Sequence, residues 1–231
     1  MRSLLFVPAD GGRKLDKAMA SGADAVIVDL EDSIVPERKS DARRSAADFL
    51  RDAMQEHRRP RLIARVNGLA TGLIDADLDA IVPAAPDAIM LPKTEGGGHV
   101  VHVDAKLLAR EATAGLEAGS IKIVAIATET ATALFLGGTF RGASARLLGL
   151  TWGAEDLSAE LGAQATHDAD GRLLDVYRLA RAVIAAFEAS PGKGTIGIDG
   201  VMHDRPHLER AKRLLARTTE PEPAGSMQRL R

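Results

Sequence analysis

The sequence contains no cysteine, which excludes disulfides, thiolate nucleophiles and cysteine-ligated metals. Aromatics are scarce: one Trp, one Tyr and five Phe in 231 residues. The core must therefore be Ala, Leu, Ile and Val, the small and β-branched residues that fill parallel sheets covered by helices. No charge sign dominates, since 30 Lys and Arg face 32 Asp and Glu for a formal net of −2. A chain so balanced carries no basic footprint, and no nucleic-acid partner is expected. Long apolar runs are missing too. Leu4-Leu5-Phe6-Val7-Pro8 is too short for a signal peptide, and no window suits a membrane span. These absences fit a cytoplasmic protein. The length also falls short of the roughly 250 residues typical of a (β/α)8 barrel.

What is present is a hydrophobic fraction of 45%, enough for a real core. Short apolar runs at residues 4–7, 25–28, 62–66, 88–91, 121–127 and 147–150 each end in a polar or glycine-rich turn. Such runs read as strands buried on both faces. Helix-like stretches at 12–20, 39–51, 75–81, 101–117 and 131–136 lie between them. This alternation predicts βαβ units and a parallel sheet. Beyond it, residues 174–187 and 207–216 read as helices and 195–198 as a short strand. The expected division is a (β/α) catalytic domain over 1–190, a strand-helix appendage over 191–217 and a disordered tail over 218–231.

Charges follow the strands in a regular way. Strand two ends in Asp29-Leu30-Glu31-Asp32, strand three in Arg65-Val66-Asn67 and strand four in Lys93. Strand five leads to Glu129, and strand six to Trp152-Gly153-Ala154-Glu155-Asp156. In a parallel barrel these ends converge on the C-terminal face, where active sites of that fold lie. Solvated loop charge explains any one of them; the whole set points to a site. Glu129 and Asp156 could hold a hard cation such as Mg2+, which takes one or two carboxylates plus waters and substrate oxygens. Arg65 offers a planar fork to a carboxylate or carbonyl oxygen. A metal and an arginine on one small oxygen-rich molecule would stabilise an enolate.

At these positions the sequence resembles the HpcH/HpaI aldolase and citrate lyase superfamily, and within it the citrate lyase beta subunit and related CoA-ester lyases. The motifs carrying the resemblance are Arg2-Ser3-Leu4-Leu5-Phe6-Val7-Pro8, Gly22-Ala23-Asp24-Ala25-Val26-Ile27-Val28-Asp29-Leu30-Glu31-Asp32-Ser33, and Lys39 with Arg43. Arg65-Val66-Asn67, Met90-Leu91-Pro92-Lys93, Glu129-Thr130-Ala131 and Trp152-Gly153-Ala154-Glu155-Asp156-Leu157 follow in the same order. The resemblance implies a TIM-barrel-like fold of the phosphoenolpyruvate/pyruvate-binding type. It implies Mg2+ on Glu129 and Asp156, substrate contacts from Arg65 and Glu129, and Asp29 and Glu31 lining the pocket. Arg65, Glu129, Asp29 and Glu31 are the expected catalytic residues, Asp29 and Glu31 through bound water, and Lys93 is expected to help bind substrate through its charge in or beside the pocket. The implied reaction is cleavage or formation of a small 3-hydroxyacyl-CoA, such as citryl-CoA or malyl-CoA, through a metal-stabilised enolate. A homo-oligomer is expected. No general base is named, because such families can draw it from a neighbouring subunit.

Two features set limits on that reading. Pyruvate-type aldolases of the superfamily carry a His soon after strand two; the stretch from Asp29 to Ile34 has none, which favours the CoA-ester branch over aldol cleavage of free 2-keto acids. The Gly-Phe-x-Gly-Lys-x-x-Ile-His-Pro segment expected on an eighth strand is also absent. Yet residues 194–207 keep an Asp-Gly-x-Met-x-Asp signature. The barrel is thus expected to be truncated, lacking strands seven and eight, with C-terminal helices or another subunit covering the gap. A non-catalytic paralogue acting as a binding or assembly subunit is the competing reading.

Other signals are set aside. Gly192-Lys193-Gly194-Thr195-Ile196-Gly197 precedes a strand instead of opening a helix, unlike a dinucleotide loop. Asp10-Gly11-Gly12 reads as a helix cap. His99 and His102 read as surface residues, His203 and His207 as remote from the site, and Trp152 as packing. Gly96-Gly97-Gly98 reads as a flexible loop over the mouth.

Overall fold

A computed structural model describes residues 1–153, 156–157, 182, 185–198 and 201–219. Six strands form one parallel sheet in sequential order: β1 (Leu4–Pro8), β2 (Ala25–Asp29), β3 (Arg61–Arg65), β4 (Ala88–Leu91), β5 (Lys122–Ile126) and β6 (Leu147–Thr151). The helices between them are α1 (Arg13–Met19), α2 (Lys39–Ala53), α3 (Ile74–Ile81), α4 (Gly97–Ala114) and α5 (Ala131–Leu136). Among the described residues no strand bridges β6 back to β1. Much of the expected helix at 174–187 lies outside the described residues.

The two-residue period of the strands organises everything above them. Val26, Val28, Leu62, Ala64, Ile89, Leu91, Ile123 and Ala125 point outward and pack against the helices. The alternate residues Ala25, Ile27, Ile63, Ala88, Met90, Val124 and Ile126 form a second, inner cluster. The helices answer with apolar spacings of three and four. Ala42, Ala46, Leu50 and Ala53 are the buried face of α2, and Val100, Val103 and Leu107 that of α4. Small alanines bring α2 close to the sheet, which a core poor in aromatics requires.

α4 starts earlier than the sequence pattern suggests. Its first turn includes Gly97 and Gly98, and a Cβ on Gly97 would lie 2.1 Å from the Thr139 carbonyl oxygen. The triglycine is thus a close-packed helix start, not a loose loop over the mouth. A buried ion cluster anchors the other end of this layer. Arg146 donates to both Glu111 oxygens at 2.6 Å, and Glu111 also accepts from the amides of Gly119 and Ile121.

After residues 185–188, which are helical, comes an antiparallel hairpin of β7 (Thr195–Ile198) and β8 (Val201–Asp204), then α6 (Arg205–Thr219). The sequence reading has only the first of these two strands. α6 runs into the start of the expected tail; the remainder of that tail lies outside the described residues. The hairpin seats on the β2–α2 loop at one tight point: a Cβ on Gly194 would fall 1.5 Å from the Ser33 carbonyl oxygen.

Candidate active site

Register and parity place the first pair of charges. Asp29 and Arg65 are Cα partners at the C-terminal ends of β2 and β3. Both continue the inward alternation of Ile27 and Ile63, so both side chains stand on the inner face. Arg65 grips Asp29 bidentately, Nε to Oδ1 at 2.7 Å and Nη2 to Oδ2 at 2.8 Å. Its Nη1 lies 3.1 Å from Glu31 Oε2, an ion pair without hydrogen-bond alignment. The guanidinium also sits over the Phe6 ring, 5.0 Å from the centroid.

Burial pushes Asp29 up, but the Arg65 charge and hydrogen bonds outweigh it and hold this carboxyl below the usual range. The amides of Glu31 and Ser33 add to that by donating to Asp29 at 2.9 and 3.2 Å. Glu31 goes the other way. Burial is its largest influence, and against the pull of Arg65 and Lys93 it lifts Glu31 to about 8.

Lys93 joins the two sides of the mouth. It follows β4 with φ of 51°, a left-handed backbone that a non-glycine residue adopts at a cost of about 1–2 kcal/mol. This turn lets its amide donate to Glu129 Oε2 at 2.5 Å while its ammonium reaches Glu31 Oε1 at 2.7 Å and Asp32 Oδ2 at 3.3 Å. The same ammonium is 4.0 Å from Asp156 Oδ1.

Glu129 follows β5, just before the Thr130 cap of α5, whose hydroxyl accepts from the Ala133 amide at 3.2 Å. It is 4% exposed, and burial, aided by the Asp156 charge and opposed by Lys93, raises it to about 7. Asp156 is likewise raised, first by burial and then by Asp32 and Asp204. Gly153 lets Glu129 keep this position, because a Cβ there would lie 2.4 Å from Glu129 Cγ.

A cavity of about 190 Å3 opens over this set, lined by Arg65, Glu129, Asp156, Asp32 and Trp152 among others. The hairpin and α6 contribute Asp204 and His207 to the same wall. His207 Nδ1 is 2.5 Å from Asp204 Oδ1, and this bond raises the imidazole above its ordinary value despite partial burial. His203 stacks edge-on against His207, with ring centroids 5.0 Å apart.

The structure thus brings Asp29, Glu31, Arg65, Lys93, Glu129 and Asp156 to one mouth. It differs from the sequence reading in two ways. Trp152 is 67% exposed and faces the cavity instead of packing. His207 reaches the site, and Asp204, which that reading passes over, comes with it. The sequence does carry a signal for the hairpin that bears Asp204: Asp199-Gly200 between two four-residue runs is a hairpin turn sequence, and residues 201–204 pair antiparallel with residues 195–198.

The donor set suits a hard divalent cation. Glu129 and Asp156 are two carboxylates raised chiefly by burial, Glu129 also by the Asp156 charge and Asp156 by Asp32 and Asp204, in a cavity with room for waters and a substrate oxygen. Among the described residues, no group of three His, Asp or Glu side chains forms a closed metal cage, and an open site of this kind needs none. No described helix is long and apolar enough to cross a membrane.

Known proteins resemble this chain in sequence and fold. The chain is 33% identical over 202 residues to a citrate lyase subunit beta-like protein of Mycobacterium tuberculosis, spanning 87% of this chain and 64% of that one. It is 36% identical over 163 residues to a (3S)-malyl-CoA thioesterase of Cereibacter sphaeroides, spanning 71% of this chain and 52% of that one. A solved structure, the citrate lyase beta subunit of M. tuberculosis complexed with oxaloacetate and magnesium, superposes with a TM-score of 0.53 at 31% identity. That superposition covers 80% of this chain and 73% of the other. The chain therefore spans between half and two thirds of the length of these curated relatives. Residues 2–219 match the HpcH/HpaI aldolase/citrate lyase family, and the chain belongs to it.

Proposed function

We propose that the chain is a Mg2+-dependent carbon-carbon lyase that cleaves or forms a small 3-hydroxyacyl-CoA. The observation that carries this reading is the pairing of two raised carboxylates, Glu129 and Asp156, with the Arg65 fork across one small cavity. Support comes from the M. tuberculosis neighbour, whose solved form holds oxaloacetate and magnesium.

Glu129 and Asp156 would hold the metal, which supplies Lewis-acid stabilisation where negative charge develops on oxygen. Arg65 spends part of its fork on Asp29 and Glu31 and keeps the rest for a substrate carboxylate or carbonyl. Asp29 holds that fork in place. Lys93 neutralises Glu31 and Asp32 and keeps Glu129 oriented through its amide. In the cleavage direction the 3-hydroxyl gives up its proton and the C2–C3 bond breaks. Its electron pair passes to the thioester as an enolate, a keto acid leaves, and the enolate carbon takes a proton. The Asp204–His207 pair, hydrogen-bonded and facing the cavity, is positioned to accept and return that proton.

The decisive experiment assays acyl-CoA and free-acid substrates with and without Mg2+, beside calorimetry of Mg2+ binding. Asp156→Ala is expected to abolish Mg2+ binding and turnover together. Turnover of free 2-keto acids alone would remove CoA from the reading. Absence of both turnover and Mg2+ binding in the wild type would favour a binding subunit.

A further inference from the structure

Beneath the mouth lies a second polar layer that the proposed chemistry does not use. Lys39 opens α2, and its ammonium donates to the Leu30 carbonyl at 2.6 Å, the Glu31 carbonyl at 2.7 Å and Asn67 Oδ1 at 2.7 Å. Asn67 is itself fixed: its side-chain amide donates to Leu30 O at 3.1 Å and to Asp77 Oδ2 at 2.7 Å, and its backbone amide to the same Asp77 oxygen. Asp77, fully buried on α3, also accepts from Arg43 Nε at 2.7 Å. A continuous chain of contacts thus runs Arg43–Asp77–Asn67–Lys39 and ends on the backbone of the loop that carries Glu31 and Asp32.

From these contacts we propose that Lys39 is a positioning residue, clamping the β2–α2 loop from behind so that Glu31 and Asp32 face Lys93 and Arg65. An ammonium has three N–H groups, and here each one meets an acceptor of the chain itself. None is left for a substrate phosphate or carboxylate, which separates Lys39 from an anion-binding lysine. The loop is fixed on its front side by Asp29, which accepts from the amides of Glu31 and Ser33. Lys39 supplies the back. Leu30 is fully buried and Glu31 nearly so, and losing the ammonium would leave their carbonyls short of a donor. A guanidinium is planar and cannot aim three donors at acceptors arranged around a tetrahedral nitrogen, so Lys39→Arg is not an equivalent.

The kinetic half of the test rests on the lyase reading; the structural half does not. In the full chain, Lys39→Met is expected to lower kcat by about tenfold or more through misplacement of the loop, with KM and Mg2+ affinity within about two-fold of wild type. Arg43→Met removes the far end of the same layer and serves as the stability control. It should lower Tm comparably while holding kcat within about two-fold. Unchanged kcat in Lys39→Met, or an equal loss in Arg43→Met, overturns the proposal. Should Lys39→Met fail to fold, NMR of the lysine side chains in the wild type decides. A slowly exchanging Nζ signal, absent in Lys39→Arg, is expected, and its absence from the wild type at neutral pH overturns the clamp. If wild-type turnover is missing altogether, the lyase reading falls, and this signal still judges Lys39.

Discussion

The two halves of the mouth are built on different principles. On the β2–β4 side, charges close on themselves: Arg65 holds Asp29 and Glu31, and Lys93 holds Glu31 and Asp32. On the β5–β6 side, Glu129, Asp156 and Asp204 line one cavity, and among the described residues the charges of Lys93 and Arg65 and the His207 imidazole reach them without a bidentate pair. The first half pairs its charges on folding, although burial still lifts Glu31 to about 8. The second is left with excess negative charge, and burial makes that charge expensive. A divalent cation from outside relieves it. One ring of strand ends can thus serve both as scaffold and as metal seat.

Removing one member from each half tests this most severely. Arg65→Met leaves Asp29 buried without its partner and is expected to cost about 3–5 kcal/mol in urea unfolding at neutral pH. Asp156→Asn relieves repulsion in the metal-free protein and should leave stability equal or higher. Equal losses in the two variants would abolish the contrast.

The pH dependence probes it next. Glu129 and Glu31 are raised from an ordinary 4.5 to about 7 and about 8. A carboxyl raised in the fold favours its protonated form there. Its stabilising contribution is full below the unfolded value and is lost as pH rises through the folded one. The metal-free Tm should therefore fall between about pH 5 and about pH 8. Added Mg2+ should recover more of it at the higher pH, because binding needs Glu129 ionised. A Mg2+ effect on Tm that is independent of pH would count against Glu129 as a ligand.

How far this site is legible in the sequence depends on what each residue sits on. Strand parity, visible in the apolar runs, is enough to put Asp29 and Arg65 on the inner face. The strand at Ala88–Leu91 and the helix at Ala131–Leu136 match the sequence reading residue for residue. Glu129 and Lys93 are legible as charges after strands, but their mutual bond is not. It depends on the left-handed backbone of Lys93, which its residue type does not announce. Asp204 and His207 come to the cavity from far along the chain. The hairpin is legible in the sequence, but its close approach to Ser33 at Gly194 has no local signature.

The glycine contacts probe the same contrast with a smaller lever. Gly153→Ala would press on Glu129 within the open half, and about a tenfold loss of Mg2+ affinity is expected by calorimetry. The overall fold should hold, because the flexible end of Glu129 can swing away. That swing is what costs affinity, so retained affinity would mean that Glu129 is not held at the position given by the Lys93 amide.

Trp152 gives the smallest expected effect and separates packing from function. It is 67% exposed, so Trp152→Ala should change unfolding free energy by no more than about 0.5 kcal/mol. Its ring nevertheless lines the cavity beside Glu129 and Asp156. An exposed indole at a pocket rim can contribute to binding only through ligand contact, so any effect belongs in KM for the acyl substrate and not in Mg2+ affinity. A large stability loss would mean that this face of β6 is covered in solution. The open half would then be shaped by a contact beyond the described residues.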